Sequence, residues 1–361
     1  MPGRRDQREP EVDVLVIGGG VVGATAALEA AGRGARVALL ERDSLGSARG
    51  ASKGSARIYA PAAYPDEEYL EIGLRAVERW REIEGHAGER ILFPTGVLSV
   101  GRFAERQLSL LQAAGVEAEL IEPAEAERRF GVRAGHGRPF LHQPDAGVIR
   151  ADRALAGIQR LARAAGAELR GEQRVDLIRA DDDEVVVRTG FVSWRARAAI
   201  VAGGPWSGSL LARAGIDVPL SVSAQTVAYF ELGSSTPAPP AVIDYDGDEP
   251  FVLWDPARGL KAALHARGPR TDPDQPGQGP SAEAADRLAG WVGATFPDLD
   301  LPVGAVETCL YTNTLDERFV VERRGRIVVA AACNGQGFQL APESGRRAAG
   351  LALEPAEVGS R

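Results

Sequence analysis

VDVLVIGGGVVGATAALEAAGRGARVALLER, residues 12–42, is the stretch on which the fold turns. Val12 to Ile17 is an apolar run of strand length, Val21 to Arg33 is a helix of small residues, and Ala35 to Leu40 is a second buried strand. A strand, a helix and a strand in that order imply parallel pairing, because the helix must carry the chain back across the sheet. Gly18, Gly20 and Gly23 form a G-x-G-x-x-G set where the first strand turns into the helix. Glycine there allows the tight turn, lets backbone N–H groups approach a pyrophosphate, and brings the helix close to the sheet. The pattern alone says little, since 43 glycines in 361 residues predict about 0.6 chance matches. Its place between strand and helix carries the weight, together with Glu41, which ends the second strand where ribose hydroxyls would lie. An adenine dinucleotide is expected, and this stretch leaves FAD and NAD both open.

Outward from that unit, 361 residues make room for two domains. Apolar content of 44% and charged content of 25% describe an ordinary globular chain, and a net charge of −8 argues against nucleic acid as partner. No apolar run approaches the ~18 residues of a membrane span, and the charged start MPGRRDQREP lacks a signal-peptide core, so a cytoplasmic protein is expected. Two cysteines, Cys309 and Cys333, make neither a disulfide framework nor a zinc module. Apolar spacing predicts helices over Glu67 to Glu84 and Ala151 to Ala165. Strands are predicted over Phe93 to Val100, Val175 to Arg179, Glu184 to Arg188, Ala198 to Ala202 and Ile327 to Ala332, with a closing helix over Glu343 to Leu353. Residues 216–300 read as strand-rich, with exposed loops at Ser234 to Pro240 and Gly268 to Pro280. The predicted architecture is α/β: a Rossmann dinucleotide domain from residues 1–90, 148–215 and 320–361, interleaved with an α+β substrate domain on a mostly antiparallel sheet from 91–147 and 216–319.

Eight separated stretches carry a wider resemblance: VLVIGGGVVGA with LLERD, GASKGSARI, FPTGVLSVG, QPDAGVIRAD, AGGPWSGSLL, GLKAALH, CLYTNTLDERF and NGQGF. In order and spacing the chain resembles the monomeric sarcosine oxidase and N-methyltryptophan oxidase group of the D-amino-acid oxidase superfamily. That resemblance covers Asp13 to about Gly350 and implies a glutathione-reductase-type FAD domain and an amine oxidase working as a monomer with oxygen. It implies cofactor contacts at Gly18, Gly20, Gly23, Glu41, Arg42, Ser52, Lys53, Val175, Cys309, Gly335, Gly337, Phe338 and Gln339. Trp206 corresponds to an adenosine-side position by order alone.

Within the resemblance, Cys309 is the residue bonded to the flavin 8-methyl carbon as a thioether, while Cys333 has no counterpart and reads as core. Lys261 matches the lysine over the flavin, where an ammonium would lower the energy of the anion formed as oxygen takes up an electron. His265 and Tyr311 match residues that face the substrate nitrogen, and an imidazole there helps keep the amine neutral. If Lys261 and His265 share a strand, they point to one face. Arg57 matches the arginine under the flavin ring. Catalytic roles are therefore expected for Lys261, His265, Tyr311 and Arg57.

The chain departs from the group where the substrate carboxylate would be held. Ala60 and Gln339 occupy the positions of an arginine and a lysine, so charge-assisted bonds of about 1.5–3 kcal/mol each are missing. A secondary or cyclic amine without a free α-carboxylate is the expected substrate, with a sarcosine- or pipecolate-like oxidase, a dehydrogenase using another acceptor, and a decayed flavin-binding protein as alternatives. Asp244, Asp246 and Asp248 lack the glycine and distant glutamate of a calcium loop and read as a solvated turn. Asp181 to Glu184 reads as a hairpin tip. His86, His136, His142 and His265 have no metal-ligand spacing, and no metal is expected.

Overall fold

The computed structural model describes residues 11–134, 137–265, 268–275, 279–331 and 334–355. Cys333 and His136 lie outside the described residues. The strand Glu11–Ile17 pairs in parallel with Val37–Leu40 on one side and Val192–Val201 on the other, in registers such as Val14↔Val37 and Ile17↔Val201. Val14, Leu15 and Val16 are fully buried, as a strand covered on both faces requires. These strands belong to an eight-stranded mixed sheet that also takes in Glu168–Arg170, Leu177–Ala180, Val185–Thr189, Val320–Arg324 and Ile327–Ala331. Helix Val21–Gly32 lies against it, sandwiched with Ala151–Ala164 and Gly337–Leu353 through alanines such as Ala26, Ala27, Ala348 and Ala349. Gly23 makes the approach possible: a Cβ there would stand 2.0 Å from the Gly18 carbonyl oxygen.

A second eight-stranded sheet runs in the order Val303–Asn313, Ser221–Phe230, Gly259–Leu264, Pro250–Asp255, Ala241–Asp244, Val97–Val100, Phe140–Gln143 and Glu119–Ile121. Every pair in it is antiparallel except Ala241–Asp244 with Val97–Val100. A third sheet joins Ala56–Tyr59, Gly147–Arg150 and Leu92–Phe93. Helix Glu67–Ala87 is capped by Asp66, which accepts the Glu68 and Tyr69 N–H groups, and it buries Trp80 and Ile83 against helices Ala151–Ala164 and Gly337–Leu353.

Several elements differ from expectation for identifiable reasons. The strand expected over Phe93 to Val100 splits at Pro94 and Gly96, whose φ is +83°, and its halves enter different sheets. The strand expected from Val175 begins at Leu177. The closing helix starts six residues earlier than expected, at Gly337, and contains Pro342. Burial of Phe338, Leu340 and Ala341 outweighs the one hydrogen bond that proline removes near the helix start. Helices Ala104–Ala113, Pro123–Phe130 and Ala282–Thr295 were not expected. The last, N-capped by Ser281, seals the antiparallel sheet by burying Leu288 and Val292 against Phe230 and Leu260. Asp181 does sit at a hairpin tip, its carboxylate accepting the Asp183 and Glu184 N–H groups at 3.0 Å. Asp244 is buried and not solvated, with its Oδ1 accepting the Asp246 N–H at 3.0 Å. Among the described residues no helix is long and apolar enough to cross a membrane, and no cluster of three potential metal ligands occurs.

Candidate active site

One long cavity runs from the carboxyl ends of the parallel strands, at Ile17 and Leu40, to the face of the antiparallel sheet. At the Rossmann end Gly18 has φ +113°, and a Cβ there would meet the Ala202 carbonyl oxygen at 2.3 Å. The Glu41 carboxylate accepts the Gly19 N–H at 2.7 Å and the Asp43 N–H at 3.0 Å, while Ser52 Oγ accepts the Val21 N–H at 3.1 Å. Helix Val21–Gly32 begins at Gly20 with no capping side chain of its own. Its positive dipole end therefore faces a glycine-lined cradle edged by Glu41 and Ser52. Farther along, Arg42 pairs with Asp274 at 2.6 Å, the Trp206 indole N–H donates to the same carboxylate at 2.9 Å, and the Arg42 guanidinium lies 4.8 Å from the Trp206 ring centre. The loop expected to be wholly exposed thus reaches back onto the Rossmann end, and Val175 lines the same region.

At mid-cavity three elements deliver Arg57, Lys261 and Cys309. Arg57 is held by three carbonyls, donating to Ala56 at 2.8 Å, Ala51 at 2.8 Å and Lys53 at 2.6 Å, and its guanidinium lies 5.4 Å from the Phe338 ring centre. Lys261, on the strand Gly259–Leu264, is only 6% exposed and donates to the Ala56 carbonyl at 3.0 Å. Burial, and then the positive Arg57, pull its pKa from 10.5 down to about 7. Cys309 is a free, half-buried thiol on Val303–Asn313, opposite Gln225 in the neighbouring strand.

At the far end His265 follows directly on the strand that carries Lys261, and its backbone N–H donates to the Glu249 carbonyl at 2.9 Å. Burial lowers its imidazole pKa, so the ring is neutral at neutral pH. The His265 and Tyr311 ring centres are 5.7 Å apart. Gly335, at φ +80°, packs beneath both: a Cβ there would stand 2.4 Å from the tyrosine ring and 3.0 Å from the imidazole. Ile243, Phe251, Leu253 and Phe319 make the rest of this end largely apolar. Gln339 lines it as a neutral group, accepting the Ala60 N–H at 3.0 Å and donating to Gln336 at 2.9 Å.

Of the residues singled out in the sequence, Gly18, Gly20, Glu41, Arg42, Ser52, Val175, Arg57, Lys261, His265, Cys309, Tyr311, Gly335, Gly337, Phe338 and Gln339 line this cavity. Gly23 and Lys53 do not; the glycine packs behind the turn, and the lysine touches the site through the carbonyl that holds Arg57. Glu249 and Asp274 were missed, and neither belongs to a motif whose spacing would reveal it.

A glycine-lined cradle at a helix start, a carboxylate at the end of the second strand, and a polar mid-cavity opposite a second helix start at Gly337 suit a dinucleotide bearing a flat ring system. A profile of the FAD dependent oxidoreductase family matches residues 13–351. The chain belongs to this family. It is similar to monomeric sarcosine oxidase from Bacillus sp., 28% identical over 94% of this chain and 92% of that protein. It is also similar to human peroxisomal sarcosine oxidase, at 29% identity over 92% and 90%. N-methyl-L-tryptophan oxidase from Salmonella heidelberg is 26% identical over 94% of each chain. Among solved structures, the open form of NikD, an unusual amino acid oxidase essential for nikkomycin biosynthesis, superposes with a TM-score of 0.84 at 26% identity, covering 97% of this chain and 96% of that one. The chain is thus an FAD-dependent oxidoreductase of the amine-oxidising kind, acting on CH–NH.

Proposed function

We propose that the chain oxidises a secondary or cyclic amine lacking a free α-carboxylate, giving an imine and hydrogen peroxide, with its FAD bonded to Cys309 as a thioether. The observation that carries this reading is the convergence of Lys261, His265, Cys309 and Tyr311 on one cavity beside a glycine-lined helix start. When bound, FAD supplies the acceptor for hydride and the route by which electrons reach oxygen. The glycine cradle at the positive end of helix Val21–Gly32 would hold its pyrophosphate, Glu41 its ribose, and the N–H groups that open helix Gly337–Leu353 the electron-rich edge of its ring.

The chain's own side chains divide the remaining work. Neutral His265 can take a proton from the substrate ammonium on a ring nitrogen, leaving the lone pair that hydride loss from the neighbouring carbon requires. Lys261 titrates close to neutrality within a water-poor wall, so a negative charge arriving beside it draws it into the ammonium form. That fixed charge then lowers the energy of the anion formed as oxygen gains its first electron. Arg57, immobilised by three carbonyls, adds positive potential without side-chain rearrangement. The neutral Gln339 and the Ala60 N–H it holds offer no ion pair to a carboxylate. The protein is read as a cytoplasmic monomer that uses oxygen directly.

Anaerobic mixing of the holoenzyme with a panel of N-methyl and cyclic amines tests the reading. Flavin colour is expected to bleach with at least one amine and to return with oxygen, releasing one peroxide per amine oxidised. Sarcosine or pipecolate matching the best amine would contradict the substrate assignment, colour that stays bleached in oxygen but returns with an added artificial electron acceptor would point to a dehydrogenase, and no bleaching by any amine would end the reading.

A further inference from the structure

Four acidic residues line the cavity among the described residues, and three of them, Glu41, Asp43 and Asp274, serve the Rossmann end. Glu249 stands alone at the other end. It immediately precedes the strand Pro250–Asp255, and its backbone carbonyl accepts the His265 N–H at 2.9 Å. Its φ is +51°, a conformation that glycine or asparagine adopts with less strain. The side chain is mostly covered, at 20% exposure. It pairs with Arg102, which is 48% exposed, does not line the cavity, and also donates to the Tyr245 carbonyl.

A carboxylate in a wall otherwise made by groups such as Ile243, Phe251 and Phe319 favours a cation and repels an anion. Arg102 can surrender it at little cost, because a half-exposed pair gains little from its Coulomb attraction and the guanidinium keeps water and Tyr245. A ligand nitrogen inside the cavity has no such access to water. We propose that Glu249 is a specificity-determining residue whose carboxylate receives a second, protonated nitrogen of the substrate, so that this end of the cavity takes a diamine. The inference rests on the amine-oxidase reading and narrows its substrate class. It also gives the neutral Gln339 a counterpart: the site lacks a cation for a carboxylate and holds an anion for an amine.

The test uses the holoenzyme with N-methylputrescine and its isostere N-methylpentylamine, which differ by one terminal nitrogen. Binding is read from the perturbed flavin spectrum at equilibrium, and oxidation from anaerobic bleaching. The diamine is expected to bind about 10–100-fold more tightly, the range of one hydrogen bond to a charged group. Glu249→Gln should bring the ratio close to one, and Arg102→Gln, which removes the rival cation, should raise it. Equal binding of the two amines by the unmodified enzyme overturns the inference and leaves the amine-oxidase reading standing. The same holds if both variants shift both amines alike, the mark of a glutamate that only anchors Arg102. Failure of the diamine to bleach the flavin while another amine of the panel bleaches it overturns the diamine inference alone, and no bleaching by any amine overturns both readings together.

Discussion

Lys261 illustrates how burial sets chemistry at the residue scale, its ammonium having one carbonyl at 3.0 Å and Arg57 as its nearest cation. Above its ordinary pKa of 10.5 the side chain is neutral in folded and unfolded chains alike. Between 10.5 and about 7 the unfolded chain takes up a proton that the folded chain refuses, so stability falls as pH drops through that window and levels off below it. In flavin-free protein, made with Cys309→Ala, the further change Lys261→Met should remove this dependence. Denaturant midpoints should show it gaining on its parent as pH falls from about 10.5 to about 7 and no further; parallel curves would refute the burial argument. In the complete enzyme Lys261→Met should slow reoxidation by oxygen by about 10²-fold or more, the scale of losing one preorganised electrostatic group, with anaerobic reduction little changed. Stopped-flow measurement separates the two half-reactions. Gln339→Lys should admit small carboxylates, seen as an acetate-induced change in the flavin spectrum that the unmodified enzyme lacks.

At the scale of elements, the site depends on places where backbone passes close to backbone or ring. Gly335→Ala combines φ +80° with a Cβ only 2.4 Å from the Tyr311 ring, so it should cost about 1–3 kcal/mol of stability and displace the Tyr311–His265 pair. Thermal unfolding and steady-state turnover should fall together; a variant with full activity would show that this packing does not set the pair. Asp66→Ala removes the N-cap of Glu67–Ala87 and should cost about 1 kcal/mol without touching the cavity. Calorimetry and turnover should therefore dissociate in that variant. The elements legible in the sequence are those in which local pattern and global position agree. Val14 to Ile17, the buried part of Glu11–Ile17, reads as a continuous apolar run, and Ser281 to Thr295 is hidden only because its neighbourhood is dominated by strands. Helix Gly337–Leu353 reads short from the sequence, where Pro342 is a local helix breaker, while the packing of Phe338 and Leu340 that overrides it is a tertiary fact.

Across the whole molecule, the cavity forms where two sheets built from discontinuous segments meet. Gly18, Arg57, Lys261, Cys309 and Gly335 come from five separate stretches and line one cavity. Motif order could name most of these residues, because each motif carries a local backbone requirement. It could not name Glu249 or Asp274, which reach the cavity through a positive φ and through a loop folding onto Arg42 across 232 residues of chain and onto Trp206 across 68. Nor could it show that Lys53 stays off the wall while its carbonyl fixes Arg57. The proposed thioether requires the Cys309 sulfur to lie against the bound flavin ring. Peptide mapping of the denatured holoenzyme by mass spectrometry tests it most directly. The peptide containing Cys309 is predicted to carry the mass of one FAD, lost in Cys309→Ala; an unmodified peptide with all the flavin released on denaturation would contradict the account.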